Sequence, residues 1–247
     1  MIAAGPWGRR VCQAMSLRDA GHAIVYHPCF SINPIPDAHR FPMPKDHLLW
    51  QRLVECGMAG RTFTPARPDH DTLCLVHAPA YVRGFLDGTL SEAAMRRIGL
   101  PWSQALVART LVGVGSAVLA ARLALQFGVA AMCNGGTHHA HLAHGSGWCV
   151  FNDLAVAARA AQRDAGARRV MLVDMDVHQG DGSAAIFAGD PSGESRSALA
   201  PWRPGSACTA LLHFRRTGVS ANLPCPALPC PRAPSPQHAS PRSARGC

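Results

Sequence analysis

The stretch V-M-L-V-D-M-D-V-H-Q-G-D-G, Val170 to Gly182, decides how this chain is read. Four apolar residues, Val170 to Val173, form a short run of the kind buried in a parallel sheet. The run passes directly into Asp174, Asp176, His178 and Asp181, with Gly180 and Gly182 on either side of Asp181. If Asp174 to His178 stays extended, Asp174, Asp176 and His178 project to one side, because side chains alternate along a strand. A carboxylate oxygen and an imidazole nitrogen two residues apart can then chelate one divalent cation. Mixed O/N donors suit zinc, and an open coordination position makes such an ion catalytic. The competing reading is a solvated turn after a strand, where Asp and Gly are common.

Working outward, Leu154 to Asp164 is an Ala-rich helix that Asp153 is placed to cap and Gly166 to end. Before it, Gln104 to Phe127 carries the strongest helical pattern in the chain, dominated by Ala and Leu, with Gly128 as its C-cap. Val129 to Cys133 then reads as a short buried strand ending in Asn134-Gly135-Gly136. Helix, strand, helix, strand in this order predicts a mostly parallel sheet with helices on its faces. Further upstream, Lys45 to Gly57 is helical by spacing, and a second helix starts near Pro79. Tyr26 to Pro44 is too rich in proline for a regular helix.

Ligands of open α/β sheets sit outside the carboxyl ends of the strands. The first strand delivers Gly135-Gly136-Thr137-His138-His139-Ala140 to that edge, and the second delivers Asp174 to Gly182. Adjacent His138 and His139 alternate in direction, which suits proton transfer better than binding one ion. Each would be oriented by a carboxylate on its other nitrogen, and Asp174 and Asp181 are available for this. The alternative is a His-rich surface loop, since His141 and His144 follow closely.

Composition limits the function classes. The chain has 247 residues and a formal net charge of +9. Up to Asp190 there are 17 basic and 14 acidic side chains, whereas the last 57 residues hold 7 Arg and one acid, Glu194. Most of the basicity therefore belongs to the tail, and no Lys/Arg stripe in the body suggests nucleic-acid binding. The most apolar stretch, Leu111 to Cys133, is interrupted by Arg122, Gln126 and glycines, so no membrane span is expected. The Arg-rich, acid-poor start is compatible with a plastid or mitochondrial leader. The body cysteines lack C-x-x-C spacing, and reduced thiols inside a cell are the default expectation.

The runs G-G-T-H-H-A, G-S-G-W-C-V-F-N-D (Gly145 to Asp153) and V-D-M-D-V-H-Q-G-D-G resemble the zinc-dependent histone deacetylase family. H-R-F-P-M (His39 to Met43) is similar to its class IV branch and bacterial relatives. The resemblance implies an arginase/deacetylase-type three-layer α/β fold with a mostly parallel central sheet, incomplete at the C-terminus. The implied organisation is an N-terminal extension over 1–24, a deacetylase-like domain over 25–192 and a Pro/Arg/Cys-rich tail over 193–247. The implied activity is hydrolysis of N-acetyl-lysine, on a histone or another protein, or of a small acetylated amine. Neither nucleic acid nor a membrane is an expected partner. The expected compartment is nuclear or cytoplasmic, with an organelle as the alternative.

By the same resemblance, Asp176 and His178 match zinc ligands, and His138 and His139 the catalytic histidine pair. Asp174 and Asp181 match the acids supporting the two histidines. Asp174, Asp176 and His178 also match positions that help hold a structural K+, and Gly147, Trp148 and Cys149 match the wall of the acyl-lysine tunnel. Phe is usual at Trp148, so the indole is expected to narrow that tunnel. The family's third zinc ligand, a downstream Asp, and its oxyanion Tyr in a Gly-Gly-Tyr context have no counterparts. The last Asp is Asp190, and the only tyrosines are Tyr26 and Tyr81. The compositional break after Asp190 is expected of a shifted frame, a retained intron or a truncated gene model, with a genuine basic tail as the alternative. An inactive deacetylase-like protein that only binds partners is the second functional expectation.

Overall fold

The computed structural model describes residues 22–190, 192–197 and 210–215. The leader expected at the N-terminus and most of the 193–247 tail lie outside them. In chain order the elements are β1 (Ala23–Val25), α1 (Lys45–Glu55), β2 (Arg61–Phe63), α2 (His70–Leu73), α3 (Pro79–Leu86), α4 (Glu92–Ile98) and α5 (Gln104–Phe127). They continue with β3 (Ala130–Met132), α6 (Asp153–Ala165), β4 (Arg169–Asp174), α7 (Asp181–Ile186), β5 (Gly193–Ser197) and β6 (Ala210–Arg215). The Pro-rich segment after β1 contains one 3-10 turn, Pro28–Ser31.

The expected α/β order holds, with the strands divided among the described residues between two three-stranded sheets. The first has the order β2-β1-β3 and is entirely parallel. In the second, β4 pairs in parallel with β5 and antiparallel with β6. β3 is shorter than the Val129 to Cys133 strand expected, and it is half-exposed rather than buried. It lies at the edge of its sheet, where only one side of the ladder is covered.

α5 is the central helix. Ser103 caps it, its hydroxyl accepting from the Leu106 N–H at 3.0 Å, and Gly128 ends it at φ 91°. Its 24 residues are long and apolar enough to cross a membrane by length and composition, yet 61% of the most apolar window is buried inside the protein. That is the pattern of a core helix covered on several sides. Its most extensive helix partner is α6, where Ala155, Ala157, Ala158, Ala160 and Ala161 are all buried. Small side chains at these positions let the two helices approach closely, and Phe85, Phe151 and Leu172 fill the core beside them.

The cap of α6 is not Asp153. Asn152 takes that place, its side chain accepting from the Ala155 N–H at 3.0 Å. Asp153 is drawn instead into the interior, where it serves the loop described below. A second buried polar tie joins α1 to α5. Arg109 donates to Asp46 at 2.6 Å, with 8% and 11% of the two side chains exposed. It also donates to the carbonyls of Met43 (2.9 Å), Cys29 (3.4 Å) and Ile32 (3.5 Å), so one guanidinium fastens the Pro-rich segment to the central helix.

Candidate active site

The loop after β3 and the end of β4 converge, as the chain order predicts for strand carboxyl ends. His138 Nδ1 lies 2.5 Å from Asp174 Oδ2, and His139 Nδ1 lies 2.6 Å from Asp181 Oδ1. The adjacent imidazoles thus face different carboxylates, while their ring centres stay 4.1 Å apart. The first pair is buried, with side chains 6% and 8% exposed, and the second is open, at 23% and 51%. Burial favours the neutral form of His138. The hydrogen bond and charge of Asp174, with Asp176 and Asp181 nearby, outweigh this and lift the ring above its ordinary range. Burial also works against the ionised form of Asp181, but the hydrogen bonds from His139 and His141 hold it below the usual carboxylate range.

The loop is positioned by groups that sequence reasoning did not assign to the site. The Asp153 carboxylate accepts from the N–H groups of Gly136 (3.1 Å) and Thr137 (2.9 Å) and from the Thr137 hydroxyl (2.7 Å). Its full burial pushes its pKa up, against the pull of these donors. The Asn152 amide donates to the Ala140 carbonyl at 3.2 Å and to Ser183 Oγ at 2.9 Å. α7 closes on the same loop, with Ser183 N donating to the His138 carbonyl at 3.0 Å. A Cβ on Gly182 would collide with the carbonyls of His138 and Ala140, so only glycine lets α7 begin this close.

His77 completes the frame. Its Nε2 accepts from the Asn152 N–H at 2.9 Å, and its Nδ1 lies 2.9 Å from the His141 carbonyl. One nitrogen must accept and the other must donate, so the ring is held neutral as the Nδ1–H tautomer. Burial lowers its pKa to about 4, despite the opposing hydrogen bonds to the His141 and Leu142 backbone. The unfolded chain therefore takes up a proton here near pH 6.5, and the folded chain only near pH 4. Stability from this residue is complete above pH 6.5 and is lost as pH falls toward 4, by about 3 kcal/mol. Urea unfolding at pH 7, 5.5 and 4 should show a shallower acid decline for His77→Gln than for the wild type. Equal declines would contradict the assignment.

The geometry after β4 differs from the extended run expected. The strand ends at Asp174 and the chain bends through Asp176 to His178. The Asp176 N–H donates to Asp174 Oδ1 at 3.0 Å and the His178 N–H to Asp176 Oδ1 at 2.7 Å. These are side-chain turns of the type Asp favours. The bend still brings Asp176 and His178 together, with His178 Nδ1 2.9 Å from Asp176 Oδ1, and the His178 ring centre 6.0 Å from that of His139. Asp174 is turned instead toward His138. Two neighbouring donors result, where zinc sites use three protein ligands or four. Among the described residues no group of three or more His, Cys, Asp or Glu side chains could hold a metal ion. The described residues therefore do not make a complete metal site.

Gly147 and Trp148 form the tip of a two-residue turn. Ser146 and Cys149 exchange both backbone hydrogen bonds, at 3.0 and 2.8 Å. Both tip residues have positive φ, 52° and 65°, which suits glycine and is rare for a bulky residue. Trp148 is held there by its N–H, which donates to the Ile98 carbonyl at 2.8 Å, and by Phe41, whose ring packs edge-on at 5.5 Å. Cys149 is buried beneath the tip, and Trp148 is 42% exposed. A cavity of about 100 Å³ opens under Trp148, lined by Phe41, Arg109, Asn134, Gly135 and Thr137. Neither His138 nor His139 lines it, so it adjoins the histidine loop from another side. Both tyrosine hydroxyls are engaged elsewhere: Tyr81 donates to the Val150 carbonyl at 2.7 Å, and Tyr26 pairs with His47 Nδ1 at 2.7 Å.

The histone deacetylase domain model matches residues 39–196. A protein of Picosynechococcus sp. is 51% identical over 174 residues, covering 70% of this chain and 58% of its own length. The polyamine deacetylase HDAC10 of Rattus norvegicus is 37% identical over 94 residues, 35% of this chain and 16% of that protein. The acetoin utilization protein AcuC of Staphylococcus aureus is 28% identical over 166 residues, 62% of this chain and 42% of that protein. The crystal structure of the HDA15 HD domain superposes with a TM-score of 0.58 at 22% identity, over 72% of this chain and 52% of that one. At that identity the match bears on the fold. The chain spans less than two thirds of the length of each of these relatives.

Proposed function

The chain belongs to the histone deacetylase family, and from that membership we propose that it takes part in hydrolysing the amide of an N-acetylated amine, its histidine pair carrying the protons. The observation that carries this is the pair of His–Asp contacts, 2.5 and 2.6 Å, on two consecutive residues. Of the two rings, His139 is the one solvent reaches. It takes the proton of the attacking water and returns it to the departing amine, so that water and amide become acetate and free amine. Asp181 holds the His139 Nδ1–H and leaves Nε2 to accept. His138, lifted toward its charged form by Asp174, favours negative charge developing beside it.

Zinc is the cofactor that family membership suggests, and it would supply Lewis-acid polarisation of the acyl carbonyl. Asp176 and His178 offer two donors for it, one short of a catalytic set. The proton steps assigned above rest on the histidines and their acids alone. The substrate is an acetyl-lysine side chain or a small acetylated amine, and the relatives include a polyamine deacetylase.

The test is acetate release from an acetyl-lysine peptide and from an N-acetylated diamine, over a zinc titration of the purified chain. Release that rises with zinc is expected. No release at saturating zinc would overturn hydrolysis by this chain and favour a second reading, a deacetylase-like protein that binds acyl groups or partners without turnover. The incomplete donor set among the described residues is the observation on that side.

A further inference from the structure

Asp181 serves more than His139. Its other oxygen, Oδ2, lies 3.3 Å from Nε2 of His141, two residues along the same loop. His141 is held in place at three points. Its N–H donates to the His144 carbonyl at 2.9 Å, its carbonyl accepts from His77 Nδ1 at 2.9 Å, and its ring stacks on that of His144 at 4.4 Å and 16°. Burial, then the neighbouring His141 and Arg97, hold His144 below the ordinary imidazole range.

We propose that His141 is a positioning residue, fixing the Asp181 carboxylate so that its Oδ1 faces Nδ1 of His139 and keeps Nε2 of that ring as the acceptor. The need for such a group is physical. Asp181 opens α7 and its side chain is 51% exposed, so its torsions are little restricted by packing. The Gly182 N–H also reaches this carboxylate, but a carboxylate that holds a histidine on each oxygen turns away from either partner less readily than one that holds a single histidine. Asp174, which serves His138, needs no counterpart because it is buried and receives the Asp176 N–H at its second oxygen. The exposed pair is the one that carries a second histidine. His141 acts through Asp181 on His139, and its ring meets Asp181 and His144.

This inference rests on reading His139 as the proton carrier, yet it is tested without turnover. The ring nitrogens of His139 are observed by 15N NMR at one fixed neutral pH, where the Nδ1–H and Nε2–H tautomers have distinct shifts. The wild type is expected to show mainly Nδ1–H. His141→Phe removes the donor while keeping a flat ring on His144, and it should move His139 toward Nε2–H, the tautomer a free imidazole prefers. His141→Gln, which retains an N–H donor, should restore most of the Nδ1–H form, and His144→Phe should leave it unchanged. An unchanged tautomer in His141→Phe overturns the proposal. So does a loss that His141→Gln does not repair, since it would assign the effect to packing. If His141→Phe fails to fold, His141→Leu is read in the same way.

Discussion

Replacing Arg109 with methionine is expected to cost the domain about 3–5 kcal/mol, read as a lower urea midpoint at neutral pH. The guanidinium is 8% exposed and lies 2.6 Å from Asp46. Methionine fills much of the volume and supplies neither charge nor donors. Asp46 would then be a buried carboxylate whose remaining close cation is Lys45, at 3.7 Å and 44% exposed. Burial already pushes the Asp46 carboxyl up against the pull of Lys45 and Arg109, so the variant should protonate it and regain part of its stability as pH falls. The wild type, where Lys45 and Arg109 oppose burial, should show a smaller recovery.

The double variant Asp46→Leu/Arg109→Met separates the charge from the backbone ties. Removing both ions relieves the orphaned carboxylate, and buried ion pairs are often replaced at little net cost. Recovery should nevertheless stop short of wild type, because the carbonyls of Met43, Cys29 and Ile32 lose the guanidinium as a donor. A single variant within 1 kcal/mol of wild type would mean that the pair contributes little and that water reaches Asp46. The expectation bears on the site as well, since Arg109 lines the cavity under Trp148.

How far such features can be read from the amino-acid sequence depends on whether their signal is local. The bounds of α5, Gln104 to Phe127, follow from the Ala/Leu run and Gly128, and the structure repeats them. The grouping of His138, His139, Asp174 and Asp181 is legible because two apolar runs each end in polar residues. Where neighbours compete for one role, local rules fail. Asn152 and Asp153 can each cap a helix, and tertiary contacts decide it by recruiting Asp153 to the N–H groups of Gly136 and Thr137. Alternation suggested an extended Asp174 to His178, but aspartates bonding their own downstream N–H groups bend it. Arg109 and His77 carry no local mark of burial. A charged residue within a helix reads as solvent-facing, and the acceptors of Arg109 come from a segment some 60 to 80 positions away. His141 read as part of a polar loop because its partner Asp181 is 40 residues distant.

His139→Ala is expected to lower acetate release by about 10²–10⁴-fold, the range for removing a positioned general base, equivalent to roughly 3–5 kcal/mol of barrier. The fall should appear in kcat with little change in KM, because the ring acts on the water proton rather than on the bound acyl chain. Asp181→Asn keeps a hydrogen-bond acceptor but loses the charge, and outer partners of this kind are worth about 10–100-fold, so its loss should be the smaller. Stability distinguishes this pair from the buried one. His139 and Asp181 are open to solvent, and Asp181 retains His141 as a partner, so His139→Ala should unfold at nearly the wild-type urea concentration. His138→Ala instead leaves Asp174, at 8% side-chain exposure, without its imidazole partner and should lose stability together with activity. Measuring both quantities for the three variants assigns the roles. Were His139→Ala to keep more than a tenth of wild-type kcat, the base would have to be another group. The proximity of His139 to Asp181 would then be an electrostatic arrangement of the loop and not part of proton transfer.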